Sequence, residues 1–168
     1  KMGYGYGCGL WGWEMGIRDR AGVARRTPVP GAQRAACEVA DLLIELRRPD
    51  GAWPWLYNAE RGVVVEPYEL YSVHQDAMAP MALFALSEVT GDDAYARAAV
   101  EGHRWCFGHN ELSLHFYDRT QRFAHRSIKR RGAAHYTSLW GNTGLSSLGR
   151  SAHIDVGGRT VNTTCRPY

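Results

Sequence analysis

Residues 78–89 constrain this chain more than any other stretch. Met78, Met81, Ala82, Leu83, Phe84, Ala85 and Leu86 leave a helix there almost no polar face. A helix that is apolar all round has to be enclosed, so the fold needs neighbours on nearly every side of it. The run before it, Tyr71-Ser72-Val73-His74-Gln75-Asp76, is aromatic and polar. Ser72 and Gln75 have capping-box spacing, which starts the helix early and leaves Pro80 inside it, with the Asp76 carbonyl lacking its helical partner. Alternatively, Asp76 is the N-cap and Pro80 falls in the tolerated first turn. Both readings put His74, Gln75 and Asp76 at a helix N-terminus.

The flanks supply the neighbours. Ala36, Val39, Leu43 and Leu46, widened by Leu42, recur at helical period and predict a helix over Gln33–Arg48, ended by Pro49-Asp50-Gly51. Thr90-Gly91-Asp92 reads as a tight turn, with Asp92 capping a helix from Asp93 to Phe107. Its stripe is Tyr95, Ala98, Ala99, Gly102, Trp105 and Cys106. An apolar helix followed through a short turn by an amphipathic one predicts an αα-hairpin with an inner and an outer member. Trp55–Tyr57 and Val63–Val65 predict short strands joined by a turn at Asn58–Gly62, and Phe116-Tyr117-Asp118 with Phe123-Ala124 repeats the pattern. Leu112 to Phe116 alternates as a strand, with Arg122–Lys129 as its expected partner, and Val161 to Thr164 is strand-like. Gly141–Gly149 reads as loop, as does the Gly-aromatic stretch Gly3–Gly16.

Composition fits one domain over residues 1–168, with 45% hydrophobic and 22% charged residues. A net charge of +3 lacks the dense basic face of a nucleic-acid binder, so nucleic acid is not an expected partner. No apolar run is long enough to span a bilayer, and no membrane partner is expected. Cys8, Cys37, Cys106 and Cys165 have neither zinc-knuckle nor redox-dithiol spacing. No metal and no cofactor are expected. Free thiols and the lack of a secretory signal pattern point to the cytoplasm, where the Asn162-Thr163-Thr164 sequon means little.

The order helix, Asp50-Gly51-Ala52-Trp53, hairpin, apolar helix, Gly-Asp-Asp turn, amphipathic helix resembles part of an α/α toroid. Such rings occur in six-hairpin glycosidases, N-acylglucosamine 2-epimerases, polysaccharide lyases and terpenoid-cyclase-like proteins. The run His74 to Leu83 resembles uncharacterised bacterial toroid proteins associated with glycan metabolism. The resemblance covers roughly Gln33–Asn110. It implies a mainly α fold: αα-hairpins of an incomplete α/α toroid with short β-hairpins at one end. A ring of twelve helices needs well over ~200 residues. With Lys1 at one end and no closing element after Val161–Thr164 at the other, a fragment of a longer toroid is expected.

In a toroid, the inner-helix N-termini open onto a central cavity, and the loop here carries Glu66, Glu69, Tyr71, His74, Gln75 and Asp76. Glycoside hydrolysis uses two carboxylates, for which Glu66, Glu69 and Asp76 are candidates. Epimerisation uses a base beside a carbonyl, which His74 could supply. Trp53, Trp55, Tyr57 and Tyr71 offer flat faces for sugar rings. Arg126 and Arg130, with Arg122, Lys129 and Arg131, form a basic hairpin edge suited to a phosphate, nucleotide-sugar or uronate. Plainer readings stand beside these: Asp76 as a cap, the Trp residues as core, Glu66 and Glu69 as solvated charges, Gln75 as half of the capping box, and the basic edge as a solvated strand edge. The implied function is a carbohydrate-active enzyme (hydrolase, lyase or sugar epimerase) acting on a carbohydrate or sugar-phosphate ligand. The alternative is a non-catalytic glycan-binding or scaffold protein. A terpenoid-cyclase-like enzyme ranks third because its Asp-rich motif is missing.

Overall fold

The computed structural model describes residues 31–58, 60–151 and 154–162, with Ile17 and the backbone of Cys8–Gly9. The predicted Gly3–Gly16 loop otherwise lies outside the described residues, as do Thr163 and Thr164. Three helices, α1 (Ala32–Glu45), α2 (Ala79–Thr90) and α3 (Asp93–His103), form one body. Ala36, Ala40 and Leu43 meet Ala82, Leu83 and Leu86 of α2 and Tyr95, Ala98 and Ala99 of α3, with Trp53 and Tyr57 closing the core. Small residues on α1 and α3 let the helices approach closely. A Cβ added at Gly102 of α3 would lie 2.6 Å from the Trp53 indole nitrogen, so the indole packs where only glycine leaves room. As predicted, Gly91 ends α2 with φ 74° and Asp92 caps α3, accepting from the Ala94 N–H at 2.8 Å.

The entry to α2 settles the two starts read from the sequence. Val73 is already helical, so Pro80 is interior and Asp76 is not the cap. His74–Met78 widens into a π-helical turn in which the Ala79 N–H donates to the His74 carbonyl. A proline cannot donate to the carbonyl four residues back, and a one-residue change of register absorbs that loss. The expected capping box is not made. Ser72 Oγ donates to the Arg126 carbonyl at 3.1 Å, and Gln75 turns to Trp53.

The toroid expectation is overturned. Among the described residues 48% are helical and 18% extended, in three small sheets: a mixed α/β fold, not a mainly α one. β2 (Leu56–Asn58) lies between β1 (Cys8–Gly9) and β3 (Val63–Glu66). β7 (Ser127–Arg130) lies between β4 (Leu70–Tyr71) and β8 (Arg159–Asn162), while β5 (Tyr117–Asp118) pairs with β6 (Phe123–Ala124), all antiparallel. Two physical reasons stand out. Met81 and Phe84 are 54% and 43% exposed, so α2 is not the enclosed inner member of a ring. Among the described residues, the chain after Asn110 supplies strands and one more helix, not a second inner–outer pair. A second core, with Tyr68, Leu70, Trp105, Phe116 and Ile128, joins these strands to the end of the helical body.

Other expectations are corrected locally. Leu112 to Phe116 does not run as a strand, because the Asn110 side chain winds it up. Its Oδ1 accepts from the N–H groups of Leu112 and Leu114, and its Nδ2 donates to the carbonyls of Trp105 and Leu114. The expected partner, Arg122–Lys129, is split between β6 and β7. Gly141–Gly149 is not loop: α4 spans Ala134–Ser147.

The two hairpins do share one construction. Asn58 Oδ1 accepts from the Arg61 N–H at 3.1 Å, and Asp118 Oδ1 accepts from the Gln121 N–H at 2.8 Å. Asn58 pairs with Val63, and Asp118 with Phe123. The residue before the returning strand has positive φ in both: Gly62 at 60° and Arg122 at 53°. A side chain in that region costs about 1 kcal/mol. Gly62→Ala is therefore expected to lower unfolding free energy in urea by about that amount. Arg122→Gly, at the equivalent position, is expected to be neutral or stabilising. A neutral Gly62→Ala would refute the shared geometry.

Candidate binding site

The predicted site residues divide into three groups. Trp53 and Tyr57 are core residues, and Gln75 is fully buried beside them. Its Oε1 accepts from the Trp53 N–H at 2.8 Å and its Nε2 donates to the Trp53 carbonyl at 3.1 Å. The side-chain amide thus satisfies a buried peptide that no strand pairs, and it pins the start of α2 to the Asp50-Gly51-Ala52-Trp53 turn. Glu66 and Arg130 are also interior, each with a side chain 0% exposed. Glu66 Oε1 accepts from Arg130 Nε at 3.2 Å, from Nη2 at 3.1 Å and from the Tyr68 N–H at 3.0 Å. Arg130 Nη1 also donates to Asp155 and to the Val156 carbonyl.

Tyr68 sits at the centre of this network. The guanidinium groups of Arg48, Arg130 and Arg159 lie 5.3, 4.7 and 4.2 Å from its ring centre. Its hydroxyl donates to Glu111, 2.5 Å from Oε2. Burial pushes the phenol up to about 12, helped by Glu111 and opposed by Arg48 and Arg159. Tyr68 is therefore a neutral donor, unsuited to act as a phenolate base near neutral pH.

A second group gathers around the buried His74, with Trp55 and Tyr71 half-buried beside it. The rings of Trp55, Tyr71 and His74 stand 5.0 to 5.9 Å apart, and Arg126 lies over Tyr71 at 5.6 Å. The Tyr71 hydroxyl donates to Glu69 Oε2 at 3.0 Å. Glu69 Oε1 accepts from Ser127 Oγ and from Asn162 Nδ2. Burial alone would raise this carboxyl, but the three hydrogen bonds, with Lys129 nearby, hold it below the ordinary carboxylate value. Glu69 therefore joins the aromatic group to the β4–β7–β8 sheet as an ionised acceptor and not as a proton donor.

Asp76 goes elsewhere. Its Oδ1 lies 3.2 Å from Nδ1 of His103, with the two side chains 33% and 40% exposed. Phe107 packs against His103 at 5.0 Å and against Tyr117 at 5.5 Å. Cys106, buried next to this pair, is pushed up to about 12 by burial and by the charge of Asp76, so it is an inert thiol.

A cavity of about 430 Å³ opens beside Glu69, between β7, β8 and the first turn of α4. Lys129, Arg131, His135 and the exposed Tyr136 line it, together with Glu69 and the fully buried Tyr68. β7 buries Ser127, Ile128 and Arg130 and turns only Lys129 outward, onto the cavity wall and near Glu69. Arg131 follows it, anchored by Nε donating to the Arg159 carbonyl at 3.1 Å. The run of basic residues pointed to Lys129 and Arg131. His135 and Tyr136 had no signal, because the helix carrying them shows no apolar stripe. Among the described residues, no three His, Cys, Asp or Glu side chains gather as a metal site requires. No helix among them is long and apolar enough to cross a membrane.

Comparison with protein-family models, with curated proteins and with solved structures returned no match for this chain.

The geometry at Glu69 fixes a pH dependence. Its folded value lies below the ordinary 4.5, so its hydrogen bonds stabilise the fold above about pH 4.5 and are lost as the pH falls through the folded value. Glu69→Gln is expected to cost about 2 kcal/mol at pH 7, as for bonds to a charged acceptor. The deficit should shrink as the pH falls below about 4.5 and on through the folded value in urea titrations, and a deficit that does not shrink with acid would contradict the assignment.

Proposed function

We propose that the protein binds an anionic carbohydrate, a sugar phosphate or uronate, in the cavity between β7, β8 and α4. The observation that carries this reading is the lining: Lys129, Arg131 and His135 beside the exposed ring of Tyr136. Arg130 is neutralised by Glu66 and Asp155, and Glu69 stays ionised with Lys129 nearby, so the cavity sets two cations, Lys129 and Arg131, against one carboxylate. Cations select phosphate or carboxylate, and ring faces accept the apolar side of a pyranose. The reading is of binding and not of hydrolysis. Two carboxylates would have to face each other across the sugar bond, and among the described residues only Glu69 borders the cavity. The free thiols of Cys37 and Cys106 agree with a cytoplasmic setting for such a ligand.

Calorimetric titration with glucose 6-phosphate, glucuronate and glucose tests this. The two anions are expected to bind and glucose to bind far more weakly. Lys129→Ala and Arg131→Ala are each expected to weaken anion binding about tenfold, the loss of one charge-assisted contact. Equal affinity for glucose, or indifference to both variants, would overturn the reading.

A catalytic reading has its own support in the Asp76–His103 pair. A carboxylate on Nδ1 orients the imidazole and leaves Nε2 as a base, and Phe107 and Tyr117 add ring surfaces beside it. That arrangement suits proton abstraction next to a sugar carbonyl, as in an epimerase or lyase. Incubating ketoses and uronates with the protein in heavy water should incorporate deuterium at that carbon, and His103→Gln should abolish it. Incorporation that survives His103→Gln would sink this reading.

A further inference from the structure

The packing of α4 is inverted. Ser138, Asn142 and Ser146, spaced four residues apart, face inward and are buried. The outward side carries Tyr136, Trp140 and Leu148, exposed by 63%, 74% and 75%. The inward face is a polar anchor. Asn142 Nδ2 donates to the Ile154 carbonyl at 3.1 Å, its Oδ1 accepts from the Ile154 N–H at 2.9 Å, and Ser146 Oγ donates to the Thr143 carbonyl at 2.9 Å. A helix of a globular protein ordinarily turns its apolar stripe to the core. Reversing it leaves two large rings in water, an arrangement that marks a contact surface.

Continuity identifies what is contacted. Tyr136 belongs both to the cavity wall and to the exposed stripe. Trp140 lies one turn further along the same face, about 6 Å of helix rise away. Beyond it Gly144 stands at the next position of the row, with open space where a side chain would be and its carbonyl accepting from Ser147 Oγ at 2.7 Å. Exposed Thr137 and Ser147 add hydroxyls at the edges of this row. Rings flanked by hydroxyls suit sugar rings, which offer an apolar face and a hydrogen-bonding rim. A lipid surface fits less well, because an interfacial helix carries Lys and Arg, and α4 has neither.

We infer that the ligand is an oligosaccharide whose anionic end occupies the cavity and whose following rings run along α4 over Tyr136 and Trp140. This rests on the anionic-carbohydrate reading above, and it adds Trp140 as a residue that selects for chain length. The test uses oligogalacturonates of one to four rings, with galactose as the uncharged control. Affinity is expected to rise about tenfold between one and three rings, the contribution of an added ring contact. Trp140→Ala should abolish that rise. If galacturonate binds no better than galactose, the cavity reading itself fails. If galacturonate binds but affinity is flat with length, or the rise survives in Trp140→Ala, the cavity reading stands and the oligosaccharide inference is overturned. Sedimentation velocity and binding to phosphatidylserine vesicles close the other routes. A dimer, or vesicle binding, that Trp140→Ala abolishes would assign the stripe to self-association or to a membrane and overturn the inference.

Discussion

The Arg130 guanidinium is buried and cannot shed its charge, so the structure around it is arranged to meet that charge. Glu66 on β3, Asp155 and the Val156 carbonyl take its N–H groups, and the Tyr68 ring takes one face. These partners come from segments far apart in sequence, and satisfying one cation holds them together. A buried pair of this kind contributes little net stability, but removing either partner strands a charge in the interior. Its value here is positional. With Arg130 drawn inward, the alternation of β7 sends Lys129 outward, and with Arg131 it makes one wall of the cavity.

The same accounting separates structural from available groups. Tyr68, Glu66 and Glu69 look like chemical candidates when read one at a time. Each is committed: the phenol to Glu111, one carboxylate to Arg130, the other to Tyr71, Ser127 and Asn162. The groups on the cavity wall with fewer ties are cations and aromatic faces, which bind and orient but do not break bonds. Asp76 and His103 form a half-exposed pair elsewhere, at the end of α3.

How much of this was legible follows from where the information sits. α1, the Gly91–Asp92 turn, α3 and the first hairpin are encoded locally, by helical period, caps and turn residues. Within the expected site, Glu69, Tyr71 and His74 gather because they lie on and beside β4, and Trp55 joins them across the β2–β3 hairpin, its N–H donating to the Pro67 carbonyl at 3.2 Å. The Glu66–Arg130 pair spans 64 positions and has no local signature. Alternation from Leu112 to Phe116 is a genuine strand pattern, overridden by four hydrogen bonds from one asparagine side chain. α4 was illegible because the usual rule was applied with the wrong sign: its core face is serine and asparagine. The ring architecture failed for a related reason. Apolar residues all round α2 were read as enclosure, yet Met81 and Phe84 face out.

The widened turn at His74–Met78 acts as a phase shifter. One surplus residue in a helix advances everything upstream by about a hundred degrees relative to everything downstream. Below the shift, Ala82, Leu83 and Leu86 aim at the helical body; above it, the imidazole meets the indole of Trp55 and the Gln75 amide reaches the Trp53 peptide. Deleting a single residue there would give a smoother helix and a worse protein, with both upstream contacts swung out of reach while the downstream half stayed in place. The irregularity is thus a joint that lets one continuous rod serve two surfaces at once.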